Sequence, residues 1–455
     1  MMKQYALFFL FLLSIQPGTA QCWESITASR YGCTIVADNG TMWSWGNNAF
    51  GELGIGVTGG IRNIPTQIGI DADWKPVTEK TTIQYALKND GTLWSWGLNS
   101  SGQLGLGDTN NRNIPTKVNN DTDWRAVNAG KNQEFVIAIK NNGTLWSWGR
   151  NTWGCLGLGD SAIRTVPTQI GTDTNWESVS VGGYFVLGIK TDGTLWAWGD
   201  NGSGQLGFGN NTNSDVPLQV GTETNWNKVY CGYNHAVAMK DDGTVWTWGY
   251  NSYGQLGLGN TTNRNVPVQI TAITNVQKVN TGMDTTFFIK TDGSLWVTGS
   301  NNNGQLGLGD LVDRNVPEQV GTGTDWQEAH GGFYHSLALK TDGTLWSWGL
   351  NTNGQLGDGT TTIRSAPVAV NCPAVLGTNQ NELLSVTMYP NPANSRLYFS
   401  NEIRLLDLYD FIGKKIKSFE NIGSILEITE IPAGIYLLNG KTASGIHFSQ
   451  KLIKE

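Results

Sequence analysis

A tryptophan-rich phrase that recurs seven times at near-constant spacing constrains this chain more than any other feature. It first reads Asn39-Gly40-Thr41-Met42-Trp43-Ser44-Trp45-Gly46 and then Asp90-Gly91-Thr92-Leu93-Trp94-Ser95-Trp96-Gly97. Its leading tryptophan returns at Trp146, Trp196, Trp246, Trp296 and Trp346, in steps of 51, 52 and then four times 50 residues. Self-similarity at such a period signals stacked or ring-closed units, none of which buries its apolar face alone. Each phrase is followed by Asn-x-x-Gly-Gln-Leu-Gly-x-Gly or a close variant, as in Asn251 to Gly259, and then by Pro-x-x-Val/Ile, as in Pro267 to Ile270. A Trp-x-x-Val segment precedes it, as in Trp124 to Val127. The sixth copy departs twice, with Val276 for the preceding tryptophan and Thr298 for the second one of the phrase. The phrases hold 13 of the 20 tryptophans, the preceding segments six, and Trp153 is the last; residues 371–455 have none and form another domain.

Each unit reads as four strands, in the fifth copy near Trp226–Tyr230, His235–Lys240, Thr244–Trp248 and Pro267–Ile270. Asp242-Gly243 is a hairpin turn, because a tight primed turn needs positive φ. The paired tryptophans stand two residues apart, hence on one face of a strand, and their repetition points to packing between neighbouring sheets rather than to seven sugar platforms. The fold expected is all-β: a seven-bladed β-propeller over residues 21–370, a linker over 371–382 and a small C-terminal β-sandwich over 383–455. Ring closure removes most exposed sheet edges. The repeated pattern Gly-x-x-Trp-x-Trp-Gly-x-Asn-x-x-Gly-Gln-Leu-Gly resembles the regulator of chromosome condensation repeat family. That resemblance implies the propeller but not the function, since propellers host unrelated activities. The eukaryotic member is a nuclear guanine nucleotide exchange factor with an inserted wedge loop. These repeats carry no such insertion, and export would remove the GTPase partner, so exchange is not carried over.

Both ends carry addresses. Lys3, the apolar run Tyr5–Ile15 and small residues before a cut after Ala20 read as a secretory signal peptide over residues 1–20, too short for a membrane span. No other stretch is apolar enough to cross a bilayer. The five cysteines show no metal spacing. Cys22 and Cys372 flank the ring and would be neighbours on closure, which leaves either one disulfide between them or five separate thiols. In the tail, Tyr389-Pro390-Asn391-Pro392, Gly434-Ile435-Tyr436-Leu437 and Lys451 to Lys454 resemble the type A C-terminal sorting domain of the type IX secretion system in Gram-negative bacteria. This implies passage through that machinery, then release or attachment at the outer-membrane surface.

No nucleophile elbow, phosphate loop or zinc motif is present, and no cofactor or metal is expected. His235 and His335 occupy a repeat slot that is Phe135 and Phe185 elsewhere, which reads as packing. The Asp-Gly pairs read as turns rather than calcium ligands, because Asn39 and Asn142 substitute. Residues 21–381 hold 21 basic and 29 acidic side chains, net −8, without the basic stripe that phosphate contacts require. Nucleic acid is therefore excluded as a partner.

Variation among the seven copies falls on one face. The first-to-second and third-to-fourth loops share it, and the uniform Asp-Gly turns share the other. Phe50, Trp153 and Tyr253 fill one loop slot, Arg150 and Tyr250 another, and Tyr184, Tyr233, Phe333 and Tyr334 the first-to-second loops. Aromatic side chains on variable loops over a rigid scaffold make a recognition surface for an extracellular protein or glycan. The expected function is a non-enzymatic binding module. A bacterial propeller of this repeat type inhibits a secreted hydrolase, one specific form such binding takes. The alternatives are a structural surface or adhesin component, and a propeller hydrolase or lyase with carboxylates or histidines converging on the central channel, a set not visible in the sequence.

Overall fold

The computed structural model describes residues 23–75, 85–371, 388–410, 414–443 and 447–455. The signal peptide, Cys22, Cys372 and residues 372–387 of the linker and tail lie outside them. The chain divides into two compact units, 1–377 and 378–455.

The first unit is the seven-bladed propeller. Six sheets are four-stranded and follow chain order, as in Trp226–Cys231, His235–Lys240, Val245–Gly249 and Arg264–Gln269 of the fifth blade. The second blade shows three strands, Tyr85–Leu87, Leu93–Gly97 and Arg112–Lys117, with a bridge from Trp74 to Lys88. No strand is exchanged among the described blades. The ring closes by packing: Cys33, Ile35 and Trp45 of the first blade share a core with Leu337, Leu339 and Leu345 of the seventh.

The repeated residues account for this construction. The second strand, such as His235–Lys240, is buried throughout because a blade lies on either side of it. The second tryptophan of the phrase leaves its own sheet and donates its indole N–H to the preceding blade. Trp45 reaches Gln355 O (3.0 Å), Trp96 Glu52 O (2.8 Å), Trp148 Gln103 O (2.8 Å) and Trp198 Cys155 O (3.1 Å). Trp248 reaches Gln205 O (2.9 Å) and Trp348 Gln305 O (2.8 Å). Thr298, the exception, donates its hydroxyl to Arg314 O of its own blade (2.6 Å), and the preceding blade is reached instead by Thr286, which donates to Gln255 O (2.8 Å). The glycine after this tryptophan sits at a register shift between the third and fourth strands. At Gly249 φ is +97°, and a Cβ would fall 2.5 Å from Asn234 O, so no other residue fits.

The Asp-Gly face is uniform for a physical reason. Asp242 accepts bonds from the Thr244 N–H (2.9 Å) and hydroxyl (2.7 Å), and Trp246 donates to that hydroxyl (2.9 Å). The aspartates are thus spent on the turn. Above it the lysine ending the second strand is held between two indoles. Lys240 Nζ lies 4.7 Å from the Trp226 ring centre and 4.2 Å from that of Trp246, and 2.8 Å from Glu223. The same arrangement recurs at Lys88, Lys140, Lys190 and Lys340. A desolvated cation over two indoles is among the stronger cation–π geometries.

The second unit is β-rich. Arg396–Asp410 is its long central strand, pairing with Met388–Tyr389, Lys415–Glu427 and Gly434–Thr442, the last of which pairs with His447–Lys454. Leu397, Leu406, Leu408, Leu438 and Leu452 form its core. The separated tail motifs meet. Asn391 donates to Lys451 O (2.6 Å) and accepts from Ile453 N (2.8 Å), and Tyr389 stacks on Tyr398 at 5.6 Å. Tyr436 donates to Pro432 O (2.9 Å), and its ring lies against Gly434.

Candidate functional site

The loops of the variable face are held by their constant residues. Asn251 is fully buried, accepts from Leu256 N (3.0 Å) and donates to Asn260 O (2.9 Å) and Thr262 O (3.0 Å). The first-to-second loops are linked blade to blade. Lys131 N donates to Gly182 O (2.8 Å), Gly183 N to Tyr233 O (2.7 Å), Tyr233 N to Met283 O (2.8 Å) and Met283 N to Gly332 O (3.0 Å). Lys131 Nζ crosses to Thr281 O of the sixth blade (3.0 Å). Burial pulls this ammonium down to about 8. The channel is therefore spanned at its loop end.

On this floor the expected residues fall into connected and separate sets. Glu134 joins two of them, pairing with Arg150 (3.1 Å) and accepting from the Tyr184 hydroxyl (3.0 Å). The Tyr233 ring meets Phe333 edge-on at 5.7 Å, and Phe333 meets Tyr334 at 6.0 Å. Arg30 lies over both Phe333 (4.9 Å) and Tyr31 (5.0 Å). Tyr250 and Tyr253 form a second pair at 6.2 Å. Beside them Gln255 donates to Asp284 (3.1 Å), whose carboxyl burial pushes up to about 6. Trp153 is 57% exposed, at φ 61°, between two shallow hollows, one of them shared with Arg150. Phe50 is exposed. Phe333 is 7% exposed and acts as floor beneath the tyrosines rather than as a contact ring. Glu134, Asp284, Arg30 and Tyr31 were not visible as site residues from sequence. Their signal lies in the first-to-second loops, where each blade differs.

His235 and His335 pack as the repeat slot implied. His235 bonds Thr286 Oγ1 (3.1 Å), His335 contacts Cys33 Sγ (3.3 Å), and burial lowers His335 to about 4. Cys33, Cys155 and Cys231 are buried. Among the described residues no group of three or more acidic, histidine or cysteine side chains is placed to hold a metal ion.

The channel itself corrects the sequence reading. A cavity of about 410 Å³ is lined by the first strands of blades four to seven, and Glu177, Glu328 and His330 are on its wall with Lys228 and Lys278. His330 Nε2 lies 2.8 Å from Glu328 Oε1, and despite burial that histidine keeps the Glu328 carboxyl below its ordinary range. Carboxylates and a histidine do converge on the channel. Glu328 and His330 went unseen because they stand at alternate positions of a strand whose other face is core.

A closed ring of contiguous chain-ordered blades, six of them four-stranded among the described residues, each sealed to the last by a tryptophan or threonine donor, defines a repeat-built β-propeller. It belongs to the regulator of chromosome condensation family: the RCC1-like domain model matches residues 170–386, and the Regulator of chromosome condensation (RCC1) repeat matches 39–78, 90–137 and 142–189. The Secretion system C-terminal sorting domain model matches residues 387–455. The chain is 30% identical over 130 residues to the Ultraviolet-B receptor UVR8 of Arabidopsis thaliana, covering 28% of this chain and 30% of that protein. It is 26% identical over 90 residues to Regulator of chromosome condensation of Xenopus laevis, covering 20% and 21%. The matched stretch spans only 10% of the human probable E3 ubiquitin-protein ligase HERC3, at 29% identity over 22% of this chain. Yeast RCC1 (Prp20), in a crystal structure with Kap60, superposes with a TM-score of 0.65 at 19% identity, covering 78% of this chain and 86% of that one. Human WBSCR16 gives 0.63 at 22%, covering 70% and 87%. These structures share the fold. The sorting domain marks the chain as an exported propeller module, secreted or held at the outer-membrane surface through the type IX machinery. Among the described residues no helix is long and apolar enough to cross a membrane.

Proposed function

We propose that this protein is a non-catalytic binding module, recognising an extracellular or surface protein or glycan through the variable loop face, with 21–370 as propeller, 371–382 as linker and 383–455 as sorting domain. The observation that carries the reading is two aromatic sets, Arg150 and Tyr184 on Glu134 and Tyr233, Phe333 and Tyr334 edge to face, carried on loops whose backbones bond from blade to blade. Preorganised aromatic side chains bind at low entropic cost. Trp153 and the Tyr250–Tyr253 pair extend these sets towards the rim. The test is capture of surface and medium components, with a glycan panel, by the full chain and by a Trp153→Ala/Tyr253→Ala variant. A saturable partner whose affinity drops ~10-fold or more in the variant is expected, the loss typical of truncated hot-spot residues. Equal capture by both proteins removes this face, and no saturable capture at all favours a structural surface component.

A further inference from the structure

The channel cavity is independent of the loop face and has its own chemistry. On each first strand the second and fourth residues after the tryptophan position turn inward, while the third and fifth, such as Val229 and Cys231, enter the core between blades. Four neighbouring blades thereby present Ser178 and Ser180, Lys228 and Tyr230, Lys278 and Asn280, Glu328 and His330. The wall is graded along its length. Lys228 and Lys278 are exposed where the strands begin, whereas Ser180 and His330 are buried towards the loop end. That end is spanned by Lys131, so entry is from the face of the Asp-Gly turns.

The wall carries both signs, and the Lys278 charge helps His330 hold the Glu328 carboxyl below its ordinary range, which leaves Lys228 the less compensated of the two lysines. Glu177 pairs with Arg125 (3.6 Å) and Glu328 with His330 (2.8 Å). Lys278 Nζ donates to the backbone oxygen of Gln327 (2.8 Å). Neither Lys278 nor Lys228 has a carboxylate within ion-pair distance among the described residues, in a propeller that is otherwise acidic. One further polar group is unpaired on a blade that does not line the cavity. Asn128 of the third blade occupies the register position of Tyr230, Asn280 and His330. It is 1% exposed, and among the described residues neither its amide N nor its amide O has a hydrogen-bond partner. Buried amides are rarely left unpaired on both atoms, and one that is calls for a missing partner.

We propose that the channel binds a small hydroxylated organic anion, with its negative group against Lys228 and Lys278 and its hydroxyls reaching the inner ring of Ser180, Tyr230, Asn280 and His330. A cavity of about 410 Å³ is within the size range of small-molecule sites and holds one or two linked sugar rings. Lysine ammoniums act as point charges, so carboxylate and phosphate satisfy them equally.

The test is calorimetric titration of the full chain with three probes: digalacturonate, glucose 6-phosphate and neutral maltose. The anionic probes are expected to bind and maltose not. Lys228→Gln/Lys278→Gln should weaken binding ~10-fold or more, as loss of charge-assisted bonds does. Asn280→Ala should weaken it less, and Lys117→Gln on an outer strand not at all. Binding of only one anionic probe identifies which acid group supplies the charge and supports the proposal. Silence from every probe, equal binding of maltose, or unchanged affinity in the lysine double variant overturns it. The lysine variant should leave loop-face capture untouched, which separates failure here from failure of that reading.

Discussion

Trp248→Phe tests whether the indole bond, and not merely the ring's bulk, seals one blade to the next. The Trp248 side chain is fully buried, meets Trp226 at 6.2 Å and donates to Gln205 O at 2.9 Å. Phenylalanine removes ~40 Å³ of packed volume, which at ~24 cal/mol per Å³ of cavity costs about 1 kcal/mol. It also leaves the Gln205 carbonyl without its donor, a further ~1–2 kcal/mol for a buried acceptor. The sum is about 2–3 kcal/mol. Trp246→Phe, two residues away on the same strand, is the control. That ring is partly exposed, its N–H donates only to the Thr244 hydroxyl in the turn (2.9 Å), and phenylalanine keeps an aromatic face for Lys240 (4.2 Å), so ~1 kcal/mol or less is expected. Urea titration followed by far-ultraviolet circular dichroism reads the difference as a midpoint shift at constant slope. If Trp248→Phe costs no more than Trp246→Phe, the indole-to-carbonyl ring is incidental to stability. The sixth blade already does without the indole, and there the Thr286 hydroxyl takes over its donor role to Gln255 O.

Two further outcomes follow from the geometry. Asp284 has a folded-state pKa of about 6, raised by burial. The native state therefore binds an extra proton, and stability is full below the unfolded value of ~3.9 and falls as pH rises through 6. Asp284→Asn keeps an acceptor for Gln255 and should flatten that fall, by up to ~3 kcal/mol between pH 4 and 7; parallel stability curves would show that the carboxylate is solvated. In the tail, Asn391→Ala removes both bonds to the last strand, and hydrogen exchange at Ile453 should quicken ~10-fold, matching roughly 1–2 kcal/mol of lost local protection. An unchanged exchange rate would mean that the clasp does not hold that strand.

The blades were legible because seven copies report one structure seven times: strand limits, Asp-Gly turns and the deviant sixth unit all align. What escaped reading was whatever depends on alternation within a variable strand or on contacts across the ring. Lys240 looks like an ordinary solvated strand end until the fold places Trp226 and Trp246 on either side of it. Glu328 and His330 look unrelated until a two-residue period turns both to the channel. Of the nine residues read as a binding face, Arg150 and Tyr184 meet at Glu134, and Tyr233, Phe333 and Tyr334 form a second contact set. Glu134, which ties two of them, came from a loop position with no aromatic signal. Phe333 was read as a contact, yet exposure depends on what covers a ring, and Tyr233, Tyr334 and Arg30 cover this one.

Because strands are not shared between the described blades, the gene can grow or shrink by whole units. A recombination event that slips by one repeat adds or deletes a complete sheet and orphans no strand. A propeller closed by a swapped strand would lose its clasp in the same event. The near-identity of the phrases, which favours such slippage, and the contiguous blades, which tolerate it, reinforce each other. The ring is in this sense a heritable counter, and its differing loops record which copies have since gone their own way.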